Sequence, residues 1–164
     1  MKLSTKKLTI AAVLIALGVV GSTFSIPVFG SKCSPIQHMV NVIAAVFLGP
    51  WYAILMAFIT AVLRNMLGLG SLLAFPGSMC GAALAGFLYK YTKKLPFAYI
   101  GEVVGTGLIG GMLCYPIALL LMGNSQAAIF TYVMPFFIST AGGTIIAIIL
   151  VTALKKTKIF DKFL

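Results

Sequence analysis

Six apolar runs divide this chain, approximately Leu8–Phe24, Ile36–Leu48, Trp51–Leu67, Leu72–Tyr89, Phe97–Met122 and Ala127–Leu154, and the polar residues collect between them. Runs so long and so poor in charge predict membrane-spanning helices. The second run is the shortest: about 13 residues rise only about 20 Å against a hydrocarbon core of about 30 Å. Parity argues for counting it as a span. Ten of the twelve basic residues form three groups, Lys2, Lys6 and Lys7, then Lys90, Lys93 and Lys94, then Lys155, Lys156, Lys158 and Lys162. If all three groups lie on the cytoplasmic side, an even number of crossings separates the first from the second. Four crossings satisfy that and three do not. The expected fold is therefore an all-α integral membrane protein, residues 1–164 forming one bundle of six transmembrane helices with both termini cytoplasmic.

Gly49 and Pro50 then read as a tight cytoplasmic turn, with Trp51 and Tyr52 in the interfacial aromatic belt. The connections Ser25–Pro35, Gly68–Pro76 and Gly123–Gln126 fall outside. The first matters most: from Ser25 to Asn41, Pro27, Gly30, Lys32, Cys33 and Pro35 precede Gln37, His38 and Asn41 at the start of the second helix. A soluble ligand has to meet the few polar side chains of such a protein at a place like this.

Composition supports the membrane reading, with 61% hydrophobic and 9% charged residues and a mean hydropathy of +1.12. The net charge of +10 suggests nucleic acid at first sight, but its grouping beside apolar runs marks topology, and no nucleic-acid partner is expected. Cys33, Cys80 and Cys114 match no zinc or redox spacing, and the last two read as small core residues. Residues Met1 to Ser25 have the look of a secretory leader as well as of a first span. Small residues recur four apart, at Gly77, Gly81 and Ala85, at Gly101 and Gly105, at Gly107 and Gly111, and at Ser139, Gly143 and Ala147. At that spacing they share a helix face and let backbones approach.

The chain has two acidic residues, Glu102 and Asp161, and no P-loop, paired carboxylates, metal-ligand cluster or nucleophile elbow. It is expected to be neither an enzyme nor a cofactor or metal carrier, and any use of ATP requires a partner. The candidate ligand contacts are Gln37, His38 and Asn41, whose amides and imidazole both donate and accept hydrogen bonds and suit a small polar heterocycle. Arg64 and Asn65 lie near the outer end of the third helix, where snorkelling and ligand contact are both open. Phe75 and Ser78, in the break Phe75–Ser78 before the fourth helix, could present an aromatic face and free N–H groups. Tyr115 and Asn124 complete the set. Glu102 is expected near the cytoplasmic start of the fifth helix beside Lys93 and Lys94, away from this site. On the first helix, Ala12 and Ala16 share a small-residue face on which another helix could dock.

Three stretches, KCSPIQHMVNVIAAVFLGPWYA, LLAFPGSMCGAALAGFLYKY and GEVVGTGLIGGMLCYPIA, resemble the ThiW family, which is counted among the substrate-binding S-components of energy-coupling factor (ECF) transporters. The resemblance spans nearly the whole chain. It implies a six-helix fold in the cell membrane, an extracytoplasmic site, and a thiamine precursor, the hydroxyethylthiazole moiety, as cargo. It also implies three partner subunits, one shared ECF transmembrane subunit and two ATPases, the former docking on the alanine-spaced surface of the first helix. The alternatives are a self-sufficient ion-coupled carrier using Glu102, or an S-component for the pyrimidine precursor or thiamine.

Overall fold

The computed structural model describes residues 5–28 and 31–156; Lys2, Gly30, Lys158, Asp161 and Lys162 lie outside the described residues. Six helical rods account for most of it: α1 Thr5–Gly21, α2 Pro35–Phe47, α3 Pro50–Met66, α4 Ala74–Thr92, α5 Leu95–Leu120 and α6 Val133–Lys156. Proline opens α2 and α3 and falls at the second position of α5, where its missing N–H leaves no helical bond unmade. Gly49 joins α2 to α3 at φ 91°, a left-handed conformation that glycine adopts without strain.

Helix α4 occupies the centre, packed against α2, α3 and α5; α1 covers α2 and α3, while α6 covers α2 and α5. The small-residue rows explain how close these rods come. A methyl group at Gly101 would stand 2.7 Å from the Ala85 backbone, and one at Gly105 would stand 2.6 Å from the Cys80 carbonyl oxygen. One face of α5 is thus in backbone contact with α4. Its other glycine row, Gly107 and Gly111, meets Phe137 and Val133 of α6 instead. Between residues Val103 and Gly110 the α5 backbone widens to a π-helical turn, an insertion in helical registry that is frequent at functional sites.

The bundle is apolar outside. Val13, Leu17, Val20, Trp51, Leu55, Phe58, Ile100, Leu108, Ile145 and Ile149 are all exposed, as befits a protein whose solvent is lipid. Among the described residues three helices are long and apolar enough to cross a membrane, Thr5–Phe24, Leu95–Leu120 and Val133–Lys156. Lys7, Lys90 and Lys93 gather around the Gly49–Pro50 turn, so the first two lysine groups share one end of the bundle. Trp51 is exposed there and meets Phe87 edge to face, but Tyr52 turns inward and is buried, with the Lys7 ammonium over its ring.

Two local differences from expectation concern the opposite end. The connection after α1 contains a short antiparallel hairpin, β1 Ile26–Val28 with β2 Ser31–Cys33, in which Pro27 faces Lys32. Pro27 is tolerated because a two-stranded ribbon has free edges. Helix α6 starts at Val133 rather than at Ala127, which leaves Pro135 within the first turn, where it removes no helical hydrogen bond.

Candidate functional site

At the end remote from Lys7, Lys90 and Lys93, a narrow cleft with an interior volume of about 30 Å³ opens between the hairpin, the α3–α4 connection and the helices beneath. Its walls carry Lys32, Ser34, Gln37, His38, Arg64, Ser71, Ser78, Thr106 and Phe136, with Gly70, Ala74 and Gly77. That mixture suits a ligand with several polar atoms, but the enclosed space holds only about one water, so a ring enters only when the walls move apart.

The hairpin forms one wall because β2 is tied to α6. The Cys33 thiol donates to the Pro135 carbonyl at 3.1 Å, and the Ser34 N–H donates to Ser139 Oγ at 2.9 Å. Burial raises the Cys33 thiol above its ordinary range, with the Ser139 hydrogen bond opposing, so near neutral pH it remains a protonated donor. Helix α2 starts directly after this strand, and Gly143 of α6 lets it sit close: a methyl group there would collide with the Pro35 carbonyl oxygen and stand 2.6 Å from His38 Cβ. The close fit turns Gln37 and His38 into the cleft.

Gln37 is 2% exposed, and neither its Oε1 nor its Nε2 has a hydrogen-bond partner. A buried primary amide left so costs on the order of 1–3 kcal/mol. Arg64 turns inward instead of snorkelling, is 4% exposed, and donates from Nη2 to Ser34 Oγ at 2.8 Å, while its Nε has no partner.

Glu102 lies within the first two turns of α5, as expected, but it is not away from the site. It lies seven residues into α5, roughly 10 Å from the helix start at 1.5 Å per residue, and it is 0% exposed. Its Oε1 accepts from His38 Nδ1 at 3.0 Å, Asn41 Nδ2 at 3.1 Å and Thr106 Oγ1 at 3.0 Å. Gly81 makes room for the carboxylate, since a methyl group at that position would stand 2.7 Å from Glu102 Oε2 and collide with Thr106 Oγ1. In the tautomer whose Nδ1–H is donated to the carboxylate, Nε2 is left as an acceptor facing the cleft. Asn41 stands behind the wall, bridging Glu102 and the Ser78 carbonyl at 3.2 Å.

Of the residues singled out from sequence, the structure thus brings together Gln37, His38, Arg64 and Ser78 on the cleft wall, with Asn41 directly behind. The others lie elsewhere. Asn65 Nδ2 donates to the Ala61 and Ser71 carbonyls and braces the connection. Phe75, inside the first turn of α4, packs its ring 5.7 Å from that of Phe58. Asn124 is exposed and donates to Tyr132 Oη, and Tyr115 is half-buried on α5 outside the cleft. Glu102, Thr106, Ser34, Ser71 and Phe136 were not singled out as contacts. A carboxylate two turns deep in an apolar helix, with a threonine four residues on, was the available signal. On α1, Ala12 and Ala16 lie on the exposed face, whereas Ala11, Leu14 and Gly18 face the bundle.

The described residues thus build a bundle of six helical rods with a polar cleft at one end, walled by a hairpin and the helix ends. The fold matches a solved structure described as the S component of a bacterial ECF transporter, with a TM-score of 0.76 over 93% of this chain and 96% of that one, at 19% identity. Curated protein sequences give no match. The family model for ThiW, the thiamine-precursor transporter protein, matches residues 8–157. The chain belongs to that family, and it is a transporter, not an enzyme.

Proposed function

We propose that this chain is the substrate-binding S-component of an ATP-driven ECF importer, that its cargo is built on the hydroxyethylthiazole precursor of thiamine, and that the cargo binds in the cleft. The observation that carries the reading is Gln37, a buried amide at the cleft wall with both polar atoms unpartnered. It asks for one donor and one acceptor from a ligand, and a hydroxyl beside a ring nitrogen supplies both. His38 Nε2 is an alternative acceptor for the same hydroxyl when the ring proton sits on Nδ1 against Glu102. Trp51, the only tryptophan of the sequence, stands at the lysine end, so no indole is available to stack in the cleft, which favours one small ring over the two linked rings of thiamine.

In this reading the six helices span the cell membrane, with the lysine end and both termini cytoplasmic, and the cleft opens outward. Family membership and fold support it, and so does the absence of an ATP-binding motif from the sequence. Ala12 and Ala16, exposed on α1, leave room for the ECF transmembrane subunit, because packing between small residues drives helix association in lipid.

One observation favours a second reading: Glu102, fully buried, is paired with His38 at the cleft wall, an arrangement of the kind that couples transport to protons. Proteoliposome uptake of labelled hydroxyethylthiazole and its phosphate ester separates the two. The S-component reading expects uptake only with the ECF transmembrane subunit, both ATPases and internal ATP, and expects Glu102→Gln to retain it. Uptake by the chain alone, driven by a pH gradient and abolished in Glu102→Gln, would establish the carrier instead.

A further inference from the structure

Glu102 is the one acidic residue within the described part of the chain, and its carboxylate already serves three donors through Oε1 and pairs with His38. Two cations line the same cleft. Lys32 makes one long contact, Nζ to the Gly68 carbonyl at 3.4 Å. Arg64 is almost wholly buried, the only hydrogen bond of its guanidinium among the described residues goes to a neutral hydroxyl, and its Nε is unpartnered. No carboxylate among the described residues forms an ion pair with it. A buried guanidinium without a counter-anion is costly, and the cost is removed when a planar anion accepts from its fork.

We propose that the cleft contains a fixed anion site, formed by Arg64, Lys32 and the Ser34 hydroxyl, so that the cargo binds as an anionic thiazole carrying a phosphomonoester or carboxylate. This rests on the thiazole reading above and sharpens it. The cleft divides accordingly. Arg64, Lys32 and Ser34 hold the charged group, with Ser34 Oγ accepting from Arg64 and free to donate its own proton to the anion. Gln37, which lines the cleft with Phe136, donates from Nε2 to the ring nitrogen of the heterocycle. Guanidinium and amide N–H thereby gain the partners that the protein does not supply.

The test uses the purified full chain in detergent or nanodiscs, with titration calorimetry and thermal unfolding against four probes: inorganic phosphate at constant ionic strength, hydroxyethylthiazole, its phosphate ester, and a methylthiazole carboxylate. At least one anionic thiazole is expected to bind about tenfold or more tightly than the neutral alcohol, since charge-assisted bonds are roughly twice as strong as neutral ones. Phosphate alone is expected to raise the melting temperature. In Arg64→Gln both differences should collapse while affinity for the alcohol persists, and Arg64→Lys should restore part of them. Lys32→Gln, at an exposed position, should weaken anion binding without disturbing the fold, and it carries the comparison if Arg64→Gln fails to fold. Preference for ester or carboxylate identifies the group carried. Equal or tighter binding of the alcohol in the unmodified chain, with no response to phosphate, would overturn the proposal. If no thiazole binds in any form, the cargo reading falls, and the anion site is then decided by the phosphate response of the unmodified chain against the Lys32 and Arg64 variants.

Discussion

Replacing Glu102 by alanine removes the acceptor shared by His38, Asn41 and Thr106, and the three donors do not fare alike. Asn41 Nδ2 keeps the Ser78 carbonyl at 3.2 Å. Thr106 can turn its hydroxyl to a carbonyl one turn back, as helical threonines do. His38 Nδ1 is left with nothing, buried at the foot of the cleft. Hydrogen bonds to a charged group contribute about 1.5–3 kcal/mol each and an orphaned buried donor costs about 1–3 kcal/mol, while removing the carboxylate relieves its own desolvation. With two donors repartnered, the net loss is about 2–4 kcal/mol, which for a chain of this length lowers the melting temperature by about 5–15 °C. The imidazole also loses what fixes its proton on Nδ1, so a ligand that donates to Nε2 should lose one neutral hydrogen bond, about 0.5–1.5 kcal/mol or roughly 2- to 13-fold in affinity. Glu102→Gln keeps an acceptor oxygen of the same reach and should bind ligand within about twofold of the unmodified chain. Thermal unfolding and calorimetric titration of the three proteins in detergent read both effects. If the alanine variant melts and binds like the unmodified chain, Glu102 does not hold His38. Equal damage in the glutamine variant would mean that the charge matters and not the acceptor.

Gly81→Ala places a methyl group against Thr106 and Glu102 and should destabilise by about 3 kcal/mol, combining overpacking with a broken charge-assisted bond; adding Thr106→Ala should recover at least about 1 kcal/mol in a double-mutant cycle of unfolding free energies. Ala16→Leu or Ala12→Trp should abolish co-purification with the ECF transmembrane subunit while ligand binding in the cleft persists, because these side chains are exposed on α1 at a distance from the cleft walls. Loss of ligand binding in those variants would place the two alanines in the bundle's own packing.

Run length made the helices legible, because an apolar segment of that length satisfies its own backbone in lipid as a helix, and each apolar run corresponds to a rod in the bundle. Polarity made half the cleft legible: Gln37, His38, Arg64 and Ser78 are costly residues to hold in such a chain, and they converge. What was hidden is rotation about the helix axis. Arg64 and Asn65 are neighbours in sequence but point about 100° apart on α3, so one enters the cleft and the other braces a loop. Tyr115 and Thr106 share α5, yet the glycine seam against α4 turns only Thr106 to the site. Glu102 was misjudged because distance from the lysines was counted along the chain, whereas its role is set by what α2 places opposite it. The hairpin was invisible because Pro27 masks a three-residue strand and its pairing partner is equally short.

The most direct test of the account is equilibrium binding to the purified chain of the thiazole precursor, as alcohol and as phosphate ester, against the pyrimidine precursor and thiamine, repeated with Gln37→Ala and His38→Ala. The account predicts saturable binding of one thiazole per chain, weaker binding of the other two compounds, and a loss of about 0.5–1.5 kcal/mol for each substituted contact in variants that still fold. Tighter binding of the pyrimidine or of thiamine, or thiazole affinity unchanged in both variants, would contradict it.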